Sequence, residues 1–343
     1  MKHNNQLQLF NFPEDYSTFK LQVQNLIKKT ITDKTSGILK DMVFNHFEAT
    51  GKMIRTLLAY EFSKLTHTEL DSLTAWTSSC EILHNATLIH DDIQDRDSFR
   101  RGRPTLWTIY GDNHSINAGD FLMLSAIQPV LNSHLPPTQK NQLLLIYSKM
   151  ACTIVSGQSL EFEINTLSSA KNLYENYIRC ITLKTAALFS DLALGINSIS
   201  HNTPFKNNEV HELFSQLGIL FQMHDDIIDL YGDKQRLTKG GDIKEGKVSF
   251  LVATHILHYP NDFEILKKIL TKPRELTTTN DICYIEELFT SKKTTTNCIN
   301  QIDKLKNEIF NLDILKNNPQ LEKFTSNMIN QIEIAGVIKY GST

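Results

Sequence analysis

The chain is poor in the residues that break helices. Its 343 residues include only 14 glycines and 9 prolines. Because turns depend on these two residues, their scarcity over so long a chain favours long helices over many short strands. The apolar residues also recur at helical spacing rather than in alternation. We therefore predict an all-α fold, a single domain over residues 1–343 with ten or more helices after a polar leader at 1–15.

Other shortages exclude further classes of protein. The 5 cysteines are scattered without a close pair, which argues against a zinc site or a disulfide framework and favours a cytoplasmic location. The net charge is only −3 and the signs are mixed, so no basic surface points to nucleic acid. No run approaches the length of a membrane span, and the polar start has no secretory signal. We therefore expect no transmembrane segment.

The apolar spacing places the helices and loops along the chain. Helical runs are predicted at about 16–33, 51–65, 70–96, 115–132, 138–166, 171–198, 208–231, 248–270 and 281–340. The Gly- and Pro-containing segment 100–104 and the Gly- and Lys-rich segment 232–247 interrupt this pattern, so both are predicted to be loops.

What the chain does contain is an acidic string, His-Asp-Asp-Ile-x-Asp, in two copies. The copies supply six aspartates: Asp91, Asp92, Asp95, Asp225, Asp226 and Asp229. In each copy the first and last aspartates are four residues apart, so they share one helix face, where like charges repel. Apolar or small residues precede both copies, and carboxylates that converge on an apolar cavity need cations between them. The strings therefore predict a cation site.

The ligand type indicates the metal. Carboxylates without clustered Cys or His favour Mg²⁺, which is typically held by one or two carboxylates together with substrate phosphates. The implied substrate is a phosphate ester. A di-iron bundle is the rival interpretation, because Glu81 and His84 match its Glu-x-x-His motif, but that site needs the motif on two helices and the sequence has one. A solvated acidic helix end is the plain structural alternative.

Basic residues lie close to both acidic strings in the sequence. Arg100 and Arg101 follow the first string, and the loop from Lys239 to Lys247 follows the second. Lys52 and Arg55 stand at the start of a helical run, where the helix N-terminus adds its own affinity for anions. Each group alone is ordinary surface charge, but their joint placement beside the two acidic strings predicts phosphate binding.

Taken together, these motifs resemble those of the trans-isoprenyl diphosphate synthases, the polyprenyl synthetase family that makes farnesyl, geranylgeranyl and longer prenyl diphosphates. The matching elements, within about residues 50–250, are the two acidic strings, Arg100-Arg101, Gly51-Lys52-x-x-Arg55, Gly157-Gln158, Lys184-Thr185, Gln222 and the lysine loop. Glu161 stands where the family often has Asp, which keeps the charge on a longer arm. The resemblance implies the isoprenoid synthase fold, a helical bundle around a central cavity.

The resemblance also implies a role for each motif residue. Asp91 and Asp95 would bridge two Mg²⁺ ions, and Asp225 would hold a third with Asp226 and Asp229 in support. Asp92 would belong to the same catalytic set. Arg100, Lys184 and Lys239 would bind an allylic diphosphate, and Lys247 belongs to the same substrate-binding loop. Lys52, Arg55, His84 and Arg101 would bind isopentenyl diphosphate, while Thr185 and Gln222 would face the carbocation. The implied reaction is a head-to-tail condensation to an all-trans prenyl diphosphate, and the implied assembly is a homodimer.

The residues just before the first acidic string bear on product length. In the family this region forms the wall that stops elongation, and here it contains Leu83, Ala86 and Thr87 instead of aromatic residues. One helical turn rises about 5.4 Å, comparable to one extended isoprene unit. The small Ala86 therefore predicts a product of C20 or longer, unless this alanine simply packs against a neighbouring helix.

Four other functions stay open from the sequence. A farnesyl (C15) synthase differs only in the elongation wall. A class I terpene cyclase shares the first string but usually carries a mixed Asn/Ser/Glu second motif. A non-catalytic regulatory subunit tends to lose motif residues, which are complete here. A plain helical scaffold would leave the acidic and basic groups unexplained.

Overall fold

The computed structural model describes residues 14–48, 51, 53–200, 203–232 and 240–335. Its helices are α1 (Glu14–Thr32), α2 (Gly37–Glu48), α3 (Ile54–Thr66), α4 (Leu70–Gln94), α5 (Leu106–Tyr110), α6 (Asp112–Ser125), α7 (Gln128–Leu131), α8 (Pro137–Asn165), α9 (Leu173–Ile181), α10 (Ala187–Ile199), α11 (Asn207–Tyr231), α12 (Gly241–Lys244), α13 (Phe250–His258), α14 (Phe263–Leu270), α15 (Thr279–Ser291), α16 (Thr294–Phe310), α17 (Asp313–Lys316) and α18 (Pro319–Ala335). A π-helical turn, Thr182–Ala186, joins α9 to α10, and 3₁₀ turns occupy Pro260–Asp262 and Arg274–Leu276. The prediction of an all-α fold is confirmed.

Long helices without internal breakers form the centre of the bundle. Helix α4 contains neither Gly nor Pro over its 25 residues, and it packs on α1, α6 and α10. Helix α10 lies between α8, α11 and α3. Trp76, Phe189 and Phe214 are fully buried in this centre, where each such side chain contributes about 1.5–3 kcal/mol through the removal of its surface from water. The buried apolar residues form one continuous cluster.

The two acidic strings end two different helices at the same end of the bundle. The first lies in the last turns of α4 and the second in the last turns of α11. Lys184, just before α10, reaches the first string, since its Nζ lies 3.8 Å from Asp91. Its neighbour Thr185 donates a hydrogen bond of 2.8 Å to Gln222, one turn before the second string. This end of the bundle therefore gathers the motifs that are far apart in the sequence.

The segment predicted as a loop at 100–104 contains a small hairpin. Strands β1 (Phe99–Arg100) and β2 (Arg103–Pro104) pair antiparallel, and the two central residues both have positive φ, 53° at Arg101 and 74° at Gly102. Positive φ at both positions is the geometry of a tight hairpin turn, and glycine adopts it without cost. The hairpin thereby places both arginines beside the end of α4.

Other segments also differ from the expected pattern. Helix α2 is not predicted by the apolar spacing, and the four-residue α12 lies within the predicted 232–247 loop, of which residues 233–239 lie outside the described residues. The predicted run 248–270 is two helices, because Pro260 interrupts it. In the described part, α8 is the one helix long and apolar enough to cross a membrane by length and composition, and 33% of its most apolar window is buried. One such helix is weak evidence for a membrane span.

Candidate active site

The first acidic string divides into buried and half-buried carboxylates. Asp92 is 3% exposed and accepts a hydrogen bond of 2.7 Å from Nε of Arg100. Asp91 and Asp95 lie on the other side of the last turn and are half-buried. Burial raises the pKa of Asp91, against the attraction of the nearby Lys184 ammonium. The string thus has one carboxylate tied to the hairpin and two that stay available to the site.

The second string divides in the same way. Asp226 is buried and accepts hydrogen bonds from the Tyr177 hydroxyl (2.8 Å), the Gln222 amide (2.7 Å) and the backbone N–H of Phe250 (2.7 Å). Asp229 is buried as well and accepts from the backbone N–H of residue 242 at 2.9 Å. Asp225 is half-buried. The hydrogen-bonded pair therefore anchors α11 to α9, α12 and α13, and Asp225 remains on the site side.

Two lysines pair with the half-buried carboxylates of the first string. Nζ of Lys184 is 2.6 Å from Glu161 and 3.8 Å from Asp91, and Nζ of Lys247 is 2.6 Å from Asp95. Burial favours the neutral form of each lysine, but the surrounding carboxylates outweigh burial and raise both pKa values. Both ammonium groups are therefore charged at neutral pH. The Glu161 that departs from the family pattern is the closest partner of Lys184.

The donor set fits Mg²⁺ with a phosphate ligand. The described residues contain no group of three or more His, Cys, Asp or Glu side chains close enough to hold a metal ion without further ligands. Mg²⁺ does not need such a cage, since it keeps several waters and binds through one or two carboxylates plus phosphate oxygens. Asp91 supplies a carboxylate whose pKa burial already raises, so a cation beside it would relieve an existing cost.

A second basic group lies next to the acidic strings. Nη1 of Arg55 is 3.2 Å from Nε2 of His84, and its guanidinium stacks over the rings of Phe189 and Phe221. Nε of Arg55 is buried without a hydrogen-bond partner in the described part of the chain. Burial, followed by the charge of Arg55, lowers the pKa of His84 well below its ordinary value, so this imidazole is neutral. Because Arg55 is charged and its Nε lacks a partner there, this group can bind an anion.

Arg101 belongs to the same basic group. Its guanidinium packs against Gly51, where a Cβ atom would overlap with it. Glu81, which is 5% exposed and accepts a hydrogen bond of 2.7 Å from Thr56, is the nearby acidic residue that acts on both Arg55 and Arg101. Asp225 also acts on Arg55, and Asp92 also acts on Arg101. Lys52 and Lys239, which the sequence also assigned to substrate binding, lie outside the described residues.

The π-helical turn sets the positions of Lys184 and Thr185. Such turns are rare and occur often at functional sites. Here the turn carries Lys184 and Thr185, and Gly157 of α8 lies so close that a Cβ atom would meet the backbone of Leu183 and Lys184. The Thr185 hydroxyl and the Gln222 amide are joined by their hydrogen bond, and Gln222 in turn donates to Asp226. The amide is therefore fixed in orientation.

The residues assigned to the elongation wall lie on α4 itself, about one to two turns before its acidic end. Leu83 and Ala86 are fully buried. Thr87 is half-buried and donates a hydrogen bond of 2.8 Å to the carbonyl of His84. Ala86 lies about 7.5 Å of helix rise from Asp91. Ala86 belongs to the packed apolar core, where a larger residue adds volume.

Deeper along α4, Trp76 closes the contact with α10. The indole is fully buried and its N–H donates a hydrogen bond of 2.9 Å to the carbonyl of Leu192. Gly195 lies against the same ring, and a Cβ atom there would overlap with it. Residue 76 is about 22 Å of helix rise from Asp91, or about four turns.

The buried Asp191 of α10 has one carboxylate oxygen without a hydrogen-bond partner among the described residues, and burial raises its pKa to about 6.

Sequence reasoning missed several residues of this site. Tyr177 holds Asp226, and Arg274 contacts the turn after the first acidic string. Arg100 and Arg101 also line a surface pocket with Asn45, His46, Asp92, Arg103, Pro104, Thr105 and Leu106. Burial and then the two arginines lower the pKa of His46 to about 3. None of the missed side chains belongs to a repeated motif, so the spacing carried no signal for them.

The helical bundle with two aspartate-rich helix ends defines an isoprenoid-synthase-type fold. The polyprenyl synthetase family model matches residues 36–286, and the chain belongs to this family. The resemblance inferred from the motifs is thereby confirmed.

Relatives and solved structures agree with this assignment. A short chain isoprenyl diphosphate synthase of Methanocaldococcus jannaschii is 34% identical over 227 residues, which cover 64% of this chain and 65% of that protein, slightly less than two thirds. A geranylgeranyl diphosphate synthase of Saccharolobus solfataricus is 34% identical over 249 residues, 70% of this chain and 72% of that protein. The crystal structure of a geranylgeranyl pyrophosphate synthetase from Pyrococcus horikoshii superposes with a TM-score of 0.74 at 25% identity and covers 92% of this chain and 97% of that one.

Proposed function

We propose that the protein is a Mg²⁺-dependent prenyltransferase that condenses isopentenyl diphosphate head-to-tail with an allylic diphosphate. The product is an all-trans prenyl diphosphate of C20, the geranylgeranyl length. One observation carries the proposal: two acidic helix ends, the first of them paired with Lys184 and Lys247, lie beside a separate basic group of Arg55, His84 and Arg101. Two neighbouring anion sites of different composition suit two diphosphate substrates. The similar geranylgeranyl synthases support the C20 length.

The half-buried carboxylates Asp91, Asp95 and Asp225 would hold the metal, as three Mg²⁺ ions. When bound, Mg²⁺ acts as a Lewis acid that stabilises the negative charge on the departing diphosphate. The buried carboxylates Asp92, Asp226 and Asp229 keep the two helix ends in place through their hydrogen bonds.

The lysines bind the allylic diphosphate and stabilise the charge that develops on it. Lys184 and Lys247 are charged and fixed by carboxylates, so they need no reorganisation when the C–O bond breaks. Arg100, held by Asp92, and Lys239 complete the set on the sequence argument. The oriented Thr185 hydroxyl and Gln222 amide present oxygen dipoles to the allylic cation.

The second basic group binds isopentenyl diphosphate. Arg55 and Arg101 supply positive charge, the neutral His84 supplies a hydrogen bond, and Lys52 joins them on the sequence argument. The bound double bond attacks C1 of the allylic cation, a new C–C bond forms, and loss of a proton restores a double bond. Closure of the site against water protects the cation from conversion to an alcohol.

The test is incubation of the protein with labelled isopentenyl diphosphate and dimethylallyl, geranyl or farnesyl diphosphate, with Mg²⁺ or with a chelator. The expected result is a C20 product that requires Mg²⁺. Asp91→Asn should lower the rate by about 100-fold or more, as loss of one charge-stabilising group does. The matched control is Asp33→Asn, an exposed aspartate in the turn after α1. A chain that converts a prenyl diphosphate without consuming isopentenyl diphosphate is a cyclase, and a chain active only with a partner is a regulatory subunit.

The exposed apolar face of α8 supports a homodimer. Apolar side chains remain exposed on α8 and on the neighbouring α6, namely Leu145 (73%), Val155 (53%), Phe162 (42%), Leu124 (74%) and Ile116 (43%). Exposed apolar side chains on two neighbouring helices favour an interaction site, and the occupant we propose is the same face of a second copy. Light scattering should give twice 39.2 kDa. Leu145→Lys should give the monomer, whereas Leu21→Lys, at an apolar residue of α1 that is 56% exposed, should not.

A further inference from the structure

The end of α4 is held by an arginine from the C-terminal third of the chain. Arg274 lies in the 3₁₀ turn between α14 and α15, about 180 residues from the first acidic string. Its Nη1 donates a hydrogen bond to the backbone carbonyl of Asp95, and its Nη2 lies 2.8 Å from Oδ1 of Asp97. The side chain is 32% exposed and Asp97 is 11% exposed, so the pair is partly shielded from water.

This contact stabilises two local features of the chain, the end of α4 and the turn that follows it. Asp95 is the residue at which α4 ends, and the last carbonyl groups of a helix lack partners within the helix and attract a cation. The next residue, Arg96, has a φ of 55°, a conformation that costs a residue with a side chain about 1–2 kcal/mol. Arg274 donates hydrogen bonds to the backbone carbonyl of Asp95, before Arg96, and to the side chain of Asp97, after it. The guanidinium therefore fixes a turn that is otherwise strained.

The same arginine is connected to the lysine loop. Glu245, whose side chain is 2% exposed, lies 3.6 Å from Nη1 of Arg274 and 2.7 Å from Nζ of Lys247. Lys247 in turn lies 2.6 Å from the carboxylate of Asp95. Positive and negative groups alternate along this chain of contacts. It joins three segments: the end of α4, the loop before α13 and the turn before α15.

We propose that Arg274 is a positioning residue for the Mg²⁺ and allylic diphosphate site, an inference that rests on the proposed function. It contacts neither substrate. It holds the Asp95 end of α4 directly and the Lys247 ammonium through Glu245. Residues that orient metal ligands in this way typically change metal affinity or activity by about 10- to 100-fold when they are replaced. The basic group around Arg55 does not include Arg274, so binding of isopentenyl diphosphate should depend on Arg274 less than binding of the allylic diphosphate does.

The experiment compares Arg274→Ala and Arg274→Lys with the wild-type chain and with Lys272→Ala. Lys272 is the matched control, because it lies two residues earlier and pairs with Asp281 instead of the acidic string. Mg²⁺ affinity is measured by calorimetry in the presence of inorganic pyrophosphate, and the KM values of both substrates are measured separately. We expect Arg274→Ala to weaken Mg²⁺ binding about 10-fold and to raise the KM of the allylic diphosphate more than the KM of isopentenyl diphosphate. Arg274→Lys keeps the positive charge but loses the two-pronged guanidinium. Its Mg²⁺ affinity should lie between those of the wild type and Arg274→Ala.

Each outcome decides the inference. Unchanged Mg²⁺ affinity in Arg274→Ala overturns it. An equal loss for both substrates, together with a lower free energy of unfolding, assigns Arg274 a general structural role and also overturns it. If Arg274→Ala does not fold, Arg274→Lys carries the same comparison. If the wild-type chain does not condense prenyl substrates, but its Mg²⁺ affinity with pyrophosphate still falls in Arg274→Ala, the proposed reaction is contradicted and the positioning role stands.

Discussion

Product length is the property most directly open to a single substitution. Ala86 is fully buried about 7.5 Å of helix rise from Asp91, whereas Trp76 closes the contact of α4 with α10 at about 22 Å. If one helical turn of about 5.4 Å corresponds to one isoprene unit, the deeper limit accepts about four units, the C20 length. A phenylalanine at position 86 sets the limit between one and two units. We therefore expect Ala86→Phe to stop at C10 or earlier.

The assay is chromatography of the prenyl products made from three primers. Ala86→Phe should still extend dimethylallyl diphosphate but should no longer extend farnesyl diphosphate, which the wild type should convert to C20. Because extra volume in a packed core costs about 1–3 kcal/mol, the free energy of unfolding is measured on the same samples. Ala86→Ser, which barely changes the volume, is the control and should keep the wild-type product. A folded, active Ala86→Phe chain that still makes C20 would refute this assignment of the wall.

Three further predictions test the groups around the site. Tyr177→Phe removes one of the donors to the buried Asp226 and should lower the free energy of unfolding by about 1–3 kcal/mol in urea titrations. Burial raises the pKa of Asp191 from 3.8 to about 6, so the native state binds more protons in this window and its stability falls as the pH rises through it. Asp191→Asn should consequently gain up to about 3 kcal/mol over the wild type at pH 8 and little at pH 4, and a pH-independent difference would contradict this. Gly157→Ala should displace Lys184 and reduce kcat, while an unchanged kcat would show that the backbone yields there.

The acidic strings and their helices could be predicted because the signal is local. Two carboxylates four residues apart share a helix face whatever the rest of the fold does, and the apolar spacing identifies α4 and α11 from their own residues. The split between buried Asp226 and half-buried Asp225 could not be predicted in this way. It depends on Tyr177 and on the N–H of Phe250, which lie on other helices.

Arg274, which contacts the end of α4, was still harder to predict from the sequence. Arg274 stands in a segment without any motif, and its partner Asp97 is 177 residues away. Nothing in the local sequence distinguishes it from Lys272 or from any other surface charge. The short helix α2 was missed for a related reason, since its buried residues Met42 and Val43 are adjacent and leave no long apolar stripe. Only tertiary contacts reveal such elements.

In each acidic string, some carboxylates anchor the fold and the half-buried ones face the chemistry, so two roles are separated within one short peptide. A duplicated gene could lose Asp91, Asp95 and Asp225 and still encode a correctly folded bundle, since Arg100, Tyr177 and Gln222 would keep their partners. Such a copy would retain the exposed face of α8 and could still pair with an active subunit. Inactive companions of a working enzyme can thus arise in this architecture through substitutions at very few positions.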